Sequence, residues 1–411
     1  MVPVDSWEQE TMENVRKTDL TSVLLLGGQE NVLSVMRSLG KRGISVFVSS
    51  VRDCWAYKSR YCCGAYPVLN ADAVESTWWD LLLNPSSKQT TLKGSLIFAC
   101  SDEAIEFIAK YKDELEKEYL VEEHDPQLRL ATLNKMLTLE TATRIGVPTP
   151  HYWKVQSIED VERLKDQFVY PVIVKPFHTH KFLRMFHNRK FFVAEGYKDL
   201  LQKVSDVCAH RIPFMITEMI PGPDTLLCSY YTFIDHNNKP LFHFTKRVIR
   251  RAPVNQGQGT YQITEWLPET AELGLKFFTE SKFRGFGNIE FKRDLRDGNL
   301  KVIEVNARLT AALEMLPRSG IDVAYLLYRY HTRQDLPRVE KQKGVVRLWS
   351  PVGDIDAFRD LHGMGQLSFL GWLRSVAHKQ VFPFFSLSDP LPAIHKHWKQ
   401  DGNRLKRRLK R

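Results

Sequence analysis

Phe286-Gly-Asn-Ile-Glu-Phe-Lys-Arg293 and Leu300-Lys-Val-Ile-Glu-Val-Asn306 flank Arg296-Asp-Gly-Asn299, and together they read as a β-hairpin. Asp-Gly is a strong hairpin signal because glycine takes the positive φ that a tight turn demands. Side chains on a strand repeat with period two, so Asn288, Glu290 and Lys292 share one face of the first strand. Glu304, Asn306 and Arg308 share a face of the second. Two carboxylates and a carboxamide therefore converge across a tight turn. Hard oxygen donors of this kind suit Mg²⁺, which keeps part of its water shell and is usually completed by substrate phosphates. Taken alone, the hairpin fits an exposed, charged sheet face equally well.

Working upstream, Tyr170-Pro-Val-Ile-Val-Lys175-Pro is a buried strand ending in one charge, and Phe214-Met-Ile-Thr-Glu218-Met-Ile-Pro-Gly222 is an apolar strand ending in a turn. Leu226 to Ile234 and Leu241 to Ile249 alternate as an antiparallel pair around Asp235-His-Asn-Asn238. Lys135 and Lys175 stand where a helix or strand meets a turn, and a lysine at the end of a buried strand snorkels or pairs with an anion. Singly, each reads as structural. Gly146-Val-Pro-Thr-Pro150 punctuates the end of a helix-rich stretch from Asp113. Further back, Thr21 to Leu26, a glycine turn, an amphipathic Asn31 to Gly40 and Ile44 to Val48 make a βαβ unit. Leu96 to Cys100 adds a later strand, with Ser101-Asp-Glu103 capping the helix after it. Gln29 and Val32 replace two glycines of a GxGxxG fingerprint, so dinucleotide binding has weak support.

The 411 residues carry 58 Lys and Arg against 48 Asp and Glu, a net charge of +10, with 43% hydrophobic residues and six cysteines. This excludes collagen-like, disordered and disulfide-scaffold classes. The charge is concentrated: Lys396 to Arg411 holds eight basic residues and Asp401, a net +7, which leaves +3 for the first 395. No stretch approaches the ~18 apolar residues of a membrane span, and the acidic N-terminus resembles neither a secretion signal nor a transit peptide. The expectation is a cytosolic protein whose cysteines, without CxxC spacing, are buried or free thiols.

In order, Asn134-Lys135, Gly146-Val-Pro-Thr-Pro150, Val172-Ile-Val-Lys175-Pro, Thr217-Glu218-Met-Ile-Pro-Gly222, Gly287-Asn-Ile-Glu290 and Ile303-Glu304-Val-Asn306-Ala-Arg308 resemble the ATP-grasp superfamily over about residues 20–335. Phe283-Arg-Gly-Phe-Gly-Asn-Ile-Glu-Phe-Lys-Arg-Asp294 and Phe244-Thr-Lys-Arg247 look most like its carboxylate–amine ligases. The resemblance implies an α/β and α+β chain: an N-terminal extension (1–19), a Rossmann-like pre-grasp domain (20–125), an ATP-grasp domain (126–335) of two α+β lobes (about 150–222 and 223–335), a small C-terminal extension (336–395) and a basic tail (396–411). It also implies roles. Lys135 and Lys175 would contact the ATP phosphates, with Lys190 beside them. Backbone groups of Glu218, Met219 and Ile220 would hold the adenine edge, and Asp224 the ribose hydroxyls. Glu290, Glu304 and Asn306 would hold Mg²⁺ or Mn²⁺, and Arg308 would steady the transferring phosphoryl group. Positioning and charge neutralisation supply most of the catalysis in such a transfer.

One segment departs from the pattern. Phe177 to Lys190 contains no glycine, so Lys181, Arg184, Arg189 and Lys190 are read as a cationic phosphate cover in place of a glycine-rich loop. His178, His180 and His187 give a weaker hint of zinc. Lys246, Arg247, Arg250 and Arg251 form a second basic cluster. Within it, Lys246 and Arg247 are candidates for the γ-phosphate or a substrate carboxylate, because cationic side chains grip such anions. Gly257-Gln-Gly259 after it would let the loop close over substrate. The expected function is an ATP- and Mg²⁺-dependent ligase joining a small-molecule or carrier-linked carboxylate to an amine through an acyl phosphate. The alternatives are an ATP-grasp phosphotransferase or an ATP-binding regulator held to an anionic surface by its tail. No specific nucleic acid is expected. Peripheral contact of the tail with the inner membrane surface, and an oligomer, are compatible with the sequence.

Overall fold

The computed structural model describes residues 20–86, 90–186, 189–337, 339 and 342–396, with residue 181 described by its backbone only. The N-terminal extension (1–19) and the tail beyond Lys396 lie outside these residues. Five strands, β1 (Val23–Leu26), β2 (Val46–Ser49), β3 (Cys62–Ala65), β4 (Leu96–Ala99) and β5 (Leu120–Val121), form a parallel sheet ordered β3-β2-β1-β4-β5. The unbroken apolar runs of β1 and β4 are buried throughout, as strands covered on both faces require. At Gly27 and Gly28, with φ of +74° and +73°, added Cβ atoms would lie 2.1 Å from Ser101 Oγ and 2.7 Å from Cys100 Cβ. These glycines serve close packing of the two turns at the top of the sheet. Asn31 then donates from Nδ2 to the carbonyls of Cys100 and Leu309, both at 2.8 Å, which ties this corner to the chain just beyond Arg308.

A second sheet, antiparallel and ordered β6-β9-β7-β8, contains β6 (Tyr152–Lys154), β7 (Val172–Pro176), β8 (Phe192–Ala194) and β9 (Phe214–Glu218). Trp153, Val172, Val174, Phe182 and Ile216 form its core. The third sheet contains β10 (Leu227–Ile234), β11 (Phe244–Ala252), β12 (Gln258–Thr264), β13 (Gly285–Arg293), β14 (Leu300–Asn306) and β15 (Arg347–Trp349), antiparallel in the order β14-β13-β10-β11-β12-β15. Helix Pro268–Glu280 covers one face through Phe277 and Phe278. On the other face, Phe233, Phe244 and Phe286 share a core with the N-terminal domain.

Residues 336–395, expected as an appended domain, supply β15 to the edge of the large sheet and two helices, Pro351–Gly363 and Phe369–Val376. Asp354, with 0% exposure, accepts from Arg250 through both oxygens at 2.8 Å and also from Thr260, Trp349 and Trp372. Asp389 accepts from Arg37, Ser59 and the Arg60 N–H. Two buried carboxylates thus fasten this segment to the large sheet and to the N-terminal domain. All six cysteines are free thiols. No helix of the described residues is long and apolar enough to cross a membrane.

Candidate active site

The second and third sheets meet at a cavity of about 420 Å³, to which the N-terminal domain contributes Asp102, the first residue of helix Asp102–Lys110. Register across the large sheet builds its floor: Lys246 pairs with Ser229, Ser229 with Glu290, and Glu290 with Glu304, so four strands contribute to one transverse row. One step along, Asn288 faces Asn306, whose Nδ2 donates to Asn288 Oδ1 at 3.3 Å. Lys135, the first residue of helix Lys135–Arg144, pairs with Glu304. Lys175, near the end of β7, donates to the Ile303 carbonyl at 2.8 Å. Helix end, small-lobe strand and hairpin therefore converge, although the sequence spreads them over 169 positions between Lys135 and Glu304.

Electrostatics make this cavity a site for anions. Seven Lys and Arg side chains line it against Asp102, Glu218, Glu290 and Glu304. Desolvation, then the charge of Lys135, push the Lys175 ammonium down to about 7. Burial likewise lowers Lys246, against the pull of Glu290. Burial opposes the charge on Glu304, but Lys135, Lys190 and Lys175 outweigh it and hold the carboxyl well below its usual range. An anion between Lys135 and Lys175 would remove their mutual repulsion and restore the solvation each has lost.

No protein-family model matches the chain. The D-aspartate ligase of Enterococcus faecium is 22% identical over 320 residues, 73% of this chain and 74% of that one. The biotin carboxylase domain dimer of Hydrogenobacter thermophilus 2-oxoglutarate carboxylase, solved with MgADP, superposes with a TM-score of 0.61 at 18% identity, covering 80% of this chain and 74% of that one. An L-amino acid ligase from Bacillus licheniformis superposes at 0.55 with 17% identity, over 76% and 75%. The chain has the ATP-grasp fold.

The cleft draws together Lys135, Lys175, Lys190, Glu218, Met219, Ile220, Glu290, Glu304, Asn306, Arg308 and Lys246 of the residues singled out in the sequence. Arg247 and Asp224 are placed differently. Arg247 lies on the opposite face of β11 and pairs with Glu265 at 2.7 Å, since alternation turns it away from Lys246. Asp224 is buried against Arg251 and also accepts from the Asn255 N–H, so its carboxylate is engaged rather than free for a ribose. The Glu218 carboxylate accepts from the His151 N–H and pairs with Arg296 and Lys301, which fixes the small lobe to the hairpin turn. The N–H groups of Glu218 and Met219 donate to the carbonyls of His151 and Pro171, and the Ile220 carbonyl accepts from Lys292.

The basic cluster on β11 divides because the strand is irregular. Register shifts between Val248 and Arg251 break the alternation, so Lys246, Val248 and Arg251 line the cleft while Arg250 reaches Asp354. The expected cationic cover is instead mostly a helix, Thr179–Met185, anchored by the buried Phe182. Arg184 lies within 3.7 Å of Asp72 and Glu103, Arg189 sits over Phe192, and Lys190 alone of the described cover cations lines the cleft. The Lys181 side chain and His187 lie outside the described residues. His180 pairs with Glu106, and no cluster of three His, Cys, Asp or Glu suited to a metal occurs among the described residues.

Two positioning residues escaped the sequence reading. Asp102 pairs with Arg308 through Nε, and Arg129 donates at 2.6 Å to Glu122 and at 3.0 Å to the Ala307 carbonyl. Each fixes the Asn306-Ala-Arg308 stretch from outside the hairpin. Lys292, which the sequence puts on the face of Asn288 and Glu290, is a positioning residue too: its Nζ donates to the carbonyls of Ile220 and Gly222 at 2.9 and 2.8 Å.

Proposed function

We propose that this chain is an ATP- and Mg²⁺-dependent carboxylate–amine ligase working through an acyl phosphate. The row Lys246, Glu290, Glu304, flanked by Lys135, Lys175 and Arg308 in one cleft, carries the reading. Its cations suit a triphosphate and its carboxylates a bridging cation. Lys135 and Lys175 hold the α- and β-phosphates, Lys190 approaches from the solvent side, and Lys292 keeps the Glu218 to Gly222 linker in place beside the adenine. The backbone of Ile220, which lines the cleft, is assigned to the adenine edge. Arg308, held by Asp102, and Lys246 neutralise charge on the transferring phosphoryl group. Ribose is left without Asp224, which is engaged by Arg251.

Two carboxylates and a carboxamide side by side fit Mg²⁺, and Mn²⁺ shares that preference for hard oxygen donors. Bound by Glu290, Glu304 and Asn306, the metal would neutralise the β- and γ-phosphates. The substrate carboxylate oxygen attacks the γ-phosphorus, the bond to the β-phosphate oxygen breaks and ADP leaves. The amine nitrogen then attacks the acyl carbon and displaces phosphate, forming the amide. The relatives named for D-aspartate and L-amino acid ligation support an amino acid as one substrate. Use of ATP agrees with a cytosolic location, and the +7 of residues 396–411 supports attachment to an anionic membrane surface.

The test is ADP and phosphate release over a panel of acids and amines. Release that depends on both substrates, with an amide product, is expected, and Glu304→Ala should lower it by at least a hundredfold. Turnover that survives this substitution rejects the metal assignment, and phosphorylated product without added amine would make the chain a phosphotransferase.

A further inference from the structure

Helix Phe369–Val376 has the sequence Phe-Leu-Gly-Trp-Leu-Arg-Ser-Val, and none of its eight residues is buried. An apolar helix ordinarily hides one face in the core. Here Phe369, Leu370 and Leu373 stand exposed, Leu370 at 62%, with Met364 just before them. The helix is anchored on its other side: Trp372 Nε1 donates to Asp354 at 2.9 Å, Ser375 Oγ accepts from Arg250 at 2.9 Å and the Ser375 carbonyl accepts from Tyr261 at 2.6 Å. The same Asp354 oxygen accepts from Trp349, whose ring lies 6.0 Å from Phe382, itself 6.3 Å from Phe385. This ring chain leads to a second exposed apolar stretch, with Leu387 at 89% and Leu391 and Ile394 both more than half exposed. Scattered exposed leucines need no explanation, but two adjoining apolar segments do.

Charge indicates what covers them. From Leu361 to Arg411 there are ten Lys and Arg, no Glu, and two Asp, of which Asp389 is buried against Arg37. Arg374 and Lys379 bracket the end of the helix and are exposed. The Lys396 ammonium sits 2.8 Å above the Phe384 ring, so the last described residue lies beside this second apolar stretch. A second copy on this face would bring two sets of cations together. An anionic bilayer offers acyl chains to the apolar groups and headgroup charge to the basic ones, and stable attachment takes two such signals.

We propose that Phe369–Val376, with the exposed leucines of 387–391, is a membrane-inserting element that docks the protein on an anionic bilayer, acting with the basic tail. It deepens the electrostatic reading of the tail and is independent of the ligase reaction. The full chain should co-sediment with vesicles of phosphatidylcholine containing one third phosphatidylglycerol and not with phosphatidylcholine alone. Leu370→Glu with Leu373→Glu should weaken that binding at least tenfold, leave only a salt-sensitive remainder, and keep ATP turnover unchanged. Lipids brominated within the acyl chains should quench tryptophan fluorescence of the unsubstituted protein. Equal binding by the double variant, or no quenching, would overturn insertion while leaving tail attachment standing. A dimer that the double variant abolishes, with no vesicle binding by the parent, would assign the face to a second copy and overturn the proposal.

Discussion

Lys175 shows how one residue would report on the ligand proposed for it. Its ammonium is held down to about 7 by desolvation and by Lys135. In the proposed site a phosphate between the two lysines would raise that value, so ATP binding would take up a proton over the interval between the free and bound pKa values. Affinity for ATP should therefore fall as pH rises above 7, approaching tenfold per pH unit where the difference in bound protons approaches one. Calorimetry in buffers of different ionisation enthalpy would measure the proton directly. A pH-independent affinity between 7 and 9 would remove Lys175 from the phosphate site. Asp102 makes a second case. Asp102→Asn weakens the grip on Arg308 while preserving size, and should lower kcat about tenfold to a hundredfold with little change in KM for ATP. Equal loss of ATP affinity would make the pair a binding determinant.

At the scale of elements, β11 shows why a run of four cations cannot be read as one patch. Its bulge sends Arg250 into a fully buried pair with Asp354, and Arg251 into the cleft. Breaking such a pair by neutralising one side leaves a buried charge uncompensated, at a cost of roughly 3–5 kcal/mol. Asp354→Asn should destabilise the protein on that scale, visible as a lowered urea midpoint, because Arg250, Thr260 and two tryptophans all converge on it. A change below about 0.5 kcal/mol, the usual size for an uninvolved surface site, would show that the C-terminal helices dock independently of the carboxylate. The helix Thr179–Met185 teaches a similar lesson. Without glycine, and with Phe182 to bury, this stretch folds into about two turns of helix leaning on Glu103 and Glu106 rather than into an open loop.

Across the whole molecule, the cleft exists because its two sheets and the N-terminal domain are fastened at its rim. Asn31 bridges the N-terminal domain to Leu309, Lys292 secures the linker between the lobes, and Glu218 locks the small lobe to the hairpin turn. The hairpin, its Asp-Gly turn and the facing of Glu290 with Glu304 and Asn306 were legible in the sequence because period-two alternation and turn chemistry are local. So were the parallel strands β1, β2 and β4, which their apolar runs and the following helices mark. The short strands β6 and β8 were not, since three residues carry no periodicity and their pairing partners lie elsewhere in the chain. The same holds for Asp102 beside Arg308, across 206 positions, and for the engagement of Asp224 by Arg251. The sequence alone determined which side chains share a strand face and where the net charge is concentrated, because both follow from neighbours along the chain. Only the tertiary structure decided which cations reach the cleft, which are consumed in buried pairs and which apolar helix is left uncovered, because those depend on contacts between segments that sequence spacing does not encode.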